Sequence, residues 1–153
     1  MKKYFIFLLM SFVLCSEQSM KAIDLEPRVG VSCSAVWGIH VGALTSLQLS
    51  DKFYFQPGFL MNTVSEFSGK ADGWKFGLDI PLYASYRIPV SNTAKVRLNV
   101  GPFAGISSQI SLGTALEAGV EYRKCYIGAS WFQNFVDRNC ARLNLSVGYK
   151  FHL

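Results

Sequence analysis

Ala141-Arg142-Leu143-Asn144-Leu145-Ser146-Val147-Gly148-Tyr149-Lys150-Phe151-His152-Leu153 alternates apolar and polar side chains without a break. A period of two marks an extended chain, whose successive side chains point to opposite faces, so this stretch predicts a β-strand with one apolar side. The strand finishes on aromatic and aliphatic residues. An apolar strand end is stable where hydrocarbon meets it, and hydrocarbon admits strands only as closed barrels in which every backbone group is paired. The expectation is therefore an all-β fold, an antiparallel up-and-down transmembrane barrel.

The same alternation recurs upstream. Segments of this kind run from Arg28 to Ala35, Trp37 to Leu49, Phe53 to Thr63, Trp74 to Ile88, Ala94 to Ile106, Ile110 to Tyr122 and Cys125 to Phe135, which with the final one makes eight. No helical period competes. The links Ser50 to Lys52, Pro89 to Thr93 and Arg123 to Lys124 are short, while Ser65 to Gly73 and Asn134 to Cys140 are longer, polar and rich in turn formers. An even strand count with short turns on one rim and longer connections on the other is the arrangement of outer-membrane barrels. The short links would then face the periplasm.

Alternation alone does not say which face points outward. Glycines do: Gly30, Gly101, Gly119, Gly128 and Gly148, among others, fall on the polar face of their strands. The interior of a barrel of about eight strands is barely wide enough for its side chains, so missing side chains belong inside. Aromatics on the apolar face agree. Phe53, Phe55, Tyr86, Tyr122, Tyr149 and Phe151 sit at the short-link ends, with Trp37, Trp74 and the deeper Trp131 toward the other rim. Two such girdles suit headgroup depth on both sides of a bilayer. The competing reading is a soluble lipocalin-like barrel with the same rings turned inward. Pro57, Pro81 and Pro102 break the strand rules, since each removes a ladder donor, and predict a bulge or a local gap in pairing.

At the other end of the chain, Lys2 and Lys3 precede an apolar run from Tyr4 to Leu14 and a small or polar stretch from Ser16 to Ala22. The run is too short to cross a hydrocarbon layer of about 30 Å and reads as a secretory signal peptide. The expected organisation is a leader over 1–22 and one barrel domain over 23–153. Cys15 allows lipidation as an alternative to simple cleavage, although Leu14 before it is not small. Composition fits a folded domain: 153 residues, 50% hydrophobic and 16% charged. The formal charge of +5 does not indicate nucleic acid, because the cations are scattered and form no basic run. Cys33, Cys125 and Cys140 lack metal-ligand spacing, so neither a metal nor a cofactor is expected. They stand as three thiols or as a Cys33 to Cys140 bridge with one left over.

Particular runs resemble a family. Asp51-Lys52-Phe53-Tyr54-Phe55-Gln56-Pro57-Gly58-Phe59, Asp79-Ile80-Pro81-Leu82, Gly101-Pro102-Phe103, Gly119-Val120-Glu121-Tyr122 and Gly148-Tyr149-Lys150-Phe151 are similar to the porin-family outer-membrane β-barrel domain of the PorT-like group of Gram-negative bacteria. The resemblance spans nearly the whole chain after the leader and makes the internal prolines expected. It departs in the short connection around Val36 and in ending on Leu153 where phenylalanine is common. It implies an assembly signal, Ser146, Gly148, Phe151 and Leu153, read by the barrel-assembly machinery, and a home among outer-membrane lipid and lipopolysaccharide. Relatives serve secretion machinery or surface structures, so the group name does not imply a pore.

On the inward face Asp79, Glu117 and Glu121 meet Arg87, Lys95, Arg97, Arg142 and Lys150. Buried charges must be paired, since an uncompensated one costs several kcal/mol. These residues predict a salt-bridged, plugged polar lumen in a structural or accessory envelope protein, with a narrow ion-conducting channel as the alternative. A second alternative is a lipid A-modifying enzyme. It would need His40 or His152 near a nucleophile at the outer rim, and no triad can be assembled from the expected positions.

Overall fold

The computed structural model describes residues 21–34, 37–63, 76–107, 110–136 and 141–152. Its strands are β1 (Lys21–Cys33), β2 (Trp37–Gln48), β3 (Phe53–Asn62), β4 (Gly77–Pro89), β5 (Ala94–Ile106), β6 (Ile110–Tyr122), β7 (Cys125–Asn134), β8 (Ala141–Tyr149) and β9 (Phe151–His152). From β1 to β8 each strand pairs antiparallel with its sequence neighbour, and β1 also pairs with both β8 and β9, so the sheet closes on itself. β8 and β9 are one strand interrupted at Lys150, whose N–H turns to the Lys124 carbonyl at 2.7 Å. The fold is thus an eight-stranded closed antiparallel barrel.

Strand boundaries match the alternation closely, with one correction. β1 starts at Lys21 and not at Arg28. Asp24, Glu26 and Arg28 lie buried on one face while Leu25, Pro27 and Val29 lie exposed on the other, so the period of two runs through Pro27. Trp74, Leu153, Cys140, residues 1–20 of the expected leader over 1–22 and most of both long connections lie outside the described residues. Cys33 and Cys125 are free thiols.

The prolines coincide with lapses in the ladder, and no residue is inserted at any of them. β2–β3 pairing stops between Leu44↔Gly58 and Leu47↔Phe55, beside Pro57. β3–β4 pairing stops between Pro57↔Leu82 and Leu60↔Asp79, beside Pro81, and β4–β5 pairing between Pro81↔Phe103 and Ala84↔Val100, beside Pro102. At the seam, pairing lapses between Leu25↔Phe151 and Arg28↔Gly148, beside Pro27. Register is the same on both sides of each lapse, so the prolines make gaps and not bulges. The missing N–H costs a local bond while the paired flanks keep alignment.

The short-turn rim is laced by backbone bonds from one turn to the next strand or turn. Arg87 N–H donates to the Lys52 carbonyl at 2.9 Å and Arg123 N–H to the Thr93 carbonyl at 2.8 Å. Arg123, with φ of 55°, takes the left-handed conformation that a two-residue hairpin turn requires.

Candidate functional site: the barrel interior

The two faces of the wall are chemically opposite. Outward residues include Val41, Leu98, Leu116, Val120, Leu145 and Val147, all exposed, whereas Glu26, Arg97, Gln56, Asn144 and Asp79 are among the most deeply buried side chains. Trp37, Trp131, Phe53, Tyr122, Tyr149 and Phe151 are exposed on the outside, with Phe55 and Tyr86 half-buried beside them. Tyr149 and Phe151 pack edge to face at 4.9 Å, as Phe53 and Tyr86 pack tilted at 4.9 Å.

Inside, three layers follow one another. Nearest the short-turn rim is an ionic cage centred on Arg97, which is fully buried. Its Nη1 donates to Glu26 Oε2 at 2.8 Å and Glu121 Oε1 at 2.9 Å, and its Nη2 to Glu26 Oε1 at 2.9 Å. Arg28 donates through Nη1 and Nη2 to the two oxygens of Glu117, at 2.6 and 3.0 Å, and through Nε to Glu26 Oε1 at 2.7 Å. Lys150 Nζ donates to Glu121 Oε2 at 2.7 Å, and Arg87 Nε lies 3.3 Å from Glu121 Oε1. Arg97 and Arg28 both stand over the Tyr126 ring, at 3.6 and 4.4 Å from its centre, and Arg87 stands over Tyr54 at 3.7 Å. Gly119 and Gly128 make the room for Tyr126, because a Cβ at either position would overlap its ring or hydroxyl.

The middle layer is apolar: Leu44, Leu60, Tyr83, Phe103, Ala115 and Phe132 form one buried cluster. Phe103 and Phe132 meet edge to face at 4.9 Å. Above it, toward the long-connection rim, Asp79 accepts from Arg142 and from Asn62 Nδ2, the latter at 2.7 Å. His40 is held through both ring nitrogens, Nδ1 by Ser32 Oγ and Nε2 by Ser146 Oγ, each at 2.9 Å.

Charge balance explains why this interior is tolerable. Among the described residues the buried carboxylates are Asp24, Glu26, Asp79, Glu117 and Glu121, and the buried cations Arg28, Arg87, Arg97, Arg142 and Lys150, five of each sign. Desolvation of each charge is offset only by several close partners, and the shared carboxylates supply them.

Three expectations change. Lys95 lies across from Glu121 in register but is exposed at the rim, and Glu121 pairs with Arg87, Arg97 and Lys150 instead. The long arginines reach down from the wall while Lys95, one inward position nearer the rim, stays in solvent. Second, Glu26 and Arg28, central to the cage, were not expected there, nor was Asp24, 3.9 Å from Lys150. Their signal was available in the alternation Asp24, Glu26, Arg28, Gly30, Ser32. Third, the interior is not polar throughout, because an apolar cluster from β2 to β7 lies between its two charged ends, while Ser32, His40 and Ser146 carry polar groups on along β1 and β8. Of the expected assembly signal, Ser146 and Gly148 face inward, Gly148 against Arg28 and Glu26, and Phe151 faces outward. Among the described residues no group of three His, Cys, Asp or Glu side chains is placed to hold a metal ion.

The fold has solved counterparts. Neisserial surface protein A is similar with a TM-score of 0.61 at 13% identity, over 84% of this chain and 94% of that one. The N-terminal β-barrel domain of Pseudomonas aeruginosa OprF is similar with a TM-score of 0.62 at 12% identity, over 88% of this chain and 100% of that one. Ail, the attachment invasion locus protein of Yersinia pestis, is similar with a TM-score of 0.50 at 13% identity, over 85% and 97%. No family model and no curated protein matches the sequence. At these identities the likeness speaks for the fold.

Proposed function

We propose that this chain is an integral barrel of the outer membrane of a Gram-negative bacterium, exported by a leader over 1–22 and closed to solutes, with a structural or accessory role in the envelope. The observation that carries the reading is the pairing of an apolar outer wall with an interior occupied end to end by an ionic cage, an apolar layer and a second ion pair. Apolar residues exposed all round a closed sheet are unfavourable in water and favourable in hydrocarbon. An ion crossing the interior would have to shed its water against Phe103 and Phe132, beside an Arg142 guanidinium 4.9 Å from the Phe132 ring that is already paired with Asp79.

A catalytic role has little to build on. His40 is enclosed in the lumen with serines on both nitrogens, and His152 pairs with Asp24 at 2.5 Å on the short-turn rim. Assignment to the PorT-like group rests on the proline-containing motifs, three of whose prolines sit at ladder gaps. Recognition of Ser146, Gly148, Phe151 and Leu153 by the barrel-assembly machinery, and residence beside lipopolysaccharide, follow from the same assignment.

The test is envelope fractionation followed by electrophoresis with and without boiling, together with planar-bilayer recording of the refolded protein. The expected result is outer-membrane recovery, a heat-dependent change in mobility and no steady conductance. A reproducible wide pore would overturn the closed lumen, and recovery in the soluble fraction would overturn the membrane reading.

A further inference from the structure

The outer wall is not uniform. Across the middle of β4 to β8 it dips into a groove of about 590 Å³, within the ~300–1,000 Å³ range of small-ligand clefts. Its floor is made by Ala118 and Ala129, paired directly across β6 and β7, and its walls by larger neighbours such as Leu98, Leu116 and Trp131. All of these point away from the lumen. At the lower end the groove reaches Phe53 and Tyr86, close to the short-turn rim.

That rim is basic. Lys52, Lys95, Arg123 and Lys124 are exposed on it, against one exposed carboxylate among the described residues, Asp51. Arg123 lies 5.6 Å from the centre of the Tyr122 ring, on the outward face, at the foot of the strand that carries Ala118. Four strand residues lie between the rim cation and the groove floor, five steps or on the order of 17 Å at strand rise, a distance that an acyl chain spans.

We propose that this face seats an anionic phospholipid of the leaflet on the short-turn side, its phosphate beside Arg123 and Lys124 at the foot of β6 and β7 and an acyl chain lying over Ala118 and Ala129. The inference rests on the membrane reading above. Charge complementarity selects the occupant: cations flanked by interfacial aromatics attract anionic headgroups, and the apolar groove above them takes only hydrocarbon. A second copy fits poorly. Two copies in one membrane related by a two-fold axis would bring concave face to concave face and like-charged rims together.

The experiment is native mass spectrometry of the detergent-solubilised full-length barrel with equal phosphatidylglycerol and phosphatidylcholine, after its heat-dependent mobility has been checked in the same sample. Several-fold preferential retention of phosphatidylglycerol is expected. Arg123→Gln with Lys124→Gln should abolish the preference, and Ala118→Leu with Ala129→Leu should lower retention of both lipids. Equal retention of the two lipids, retention unchanged when the floor is filled, displacement by lipid A, or a change of oligomeric state in the floor variant would each overturn the seat while the barrel stands. Absence of the heat-dependent shift would overturn both.

Discussion

The two ends of the lumen's lower half solve the same packing problem by opposite means. The cage around Arg97 fills its cross-section with ions that satisfy one another, while the layer just above it fills the same width with Phe103, Phe132, Tyr83, Leu44 and Leu60. The cage is specific and brittle, because each carboxylate is shared and no member can leave alone. The apolar layer is forgiving in chemistry but not in volume, and Arg142, which stands over Phe132, is already paired with Asp79. Stability and closure are therefore carried by different layers.

Several substitutions would break or sharpen that contrast. The largest effect is expected from Arg97→Ala, which leaves Glu26 with Arg28 alone and Glu121 and Glu117 short of a partner; stability should fall by about 3–5 kcal/mol in urea titrations of the barrel in lipid vesicles. Adding Glu26→Gln should restore part of the loss, and conductance should stay absent in both. Phe132→Ala is expected to cost about 3 kcal/mol and, combined with Phe103→Ala, to permit small-ion current where the cage variants do not. If current instead followed the loss of Arg97, the division of labour would be wrong. Gly128→Ala forces the Tyr126 ring out from under Arg97 and Arg28 and should cost about 1–3 kcal/mol by the same titration. Smallest is Lys95→Gln, with a change within about 0.5 kcal/mol, because this cation stands outside the cage.

Most of the fold was legible because a barrel wall writes its two environments into alternate residues. β5 and β6 have the bounds that the alternation predicts, from Ala94 to Ile106 and Ile110 to Tyr122. β1 begins before Arg28, where Asp24, Glu26 and Pro27 set two carboxylates and a proline into the same period of two. A carboxylate pointing into a lumen and one pointing into solvent are identical in sequence. What distinguishes them is the partner brought from elsewhere in the chain, as Arg97 is brought to Glu26. Parity placed Arg97, Glu117 and Arg142 inside but could not say how far each side chain reaches, which is why Lys95 was grouped with them. The apolar layer was hidden for a related reason: Leu44, Leu60, Phe103 and Phe132 are single apolar residues on otherwise polar faces, and only closure of the sheet gathers them.

The central claim, that apolar side chains meet hydrocarbon while ions fill the axis, is tested most directly at Trp131. Trp37→Phe with Trp74→Phe leaves it the sole tryptophan of the three in the chain. Phospholipids brominated in their acyl chains should quench its fluorescence strongly and aqueous acrylamide should barely touch it. Quenching by acrylamide without quenching by the brominated chains would place the wall in water and contradict the account.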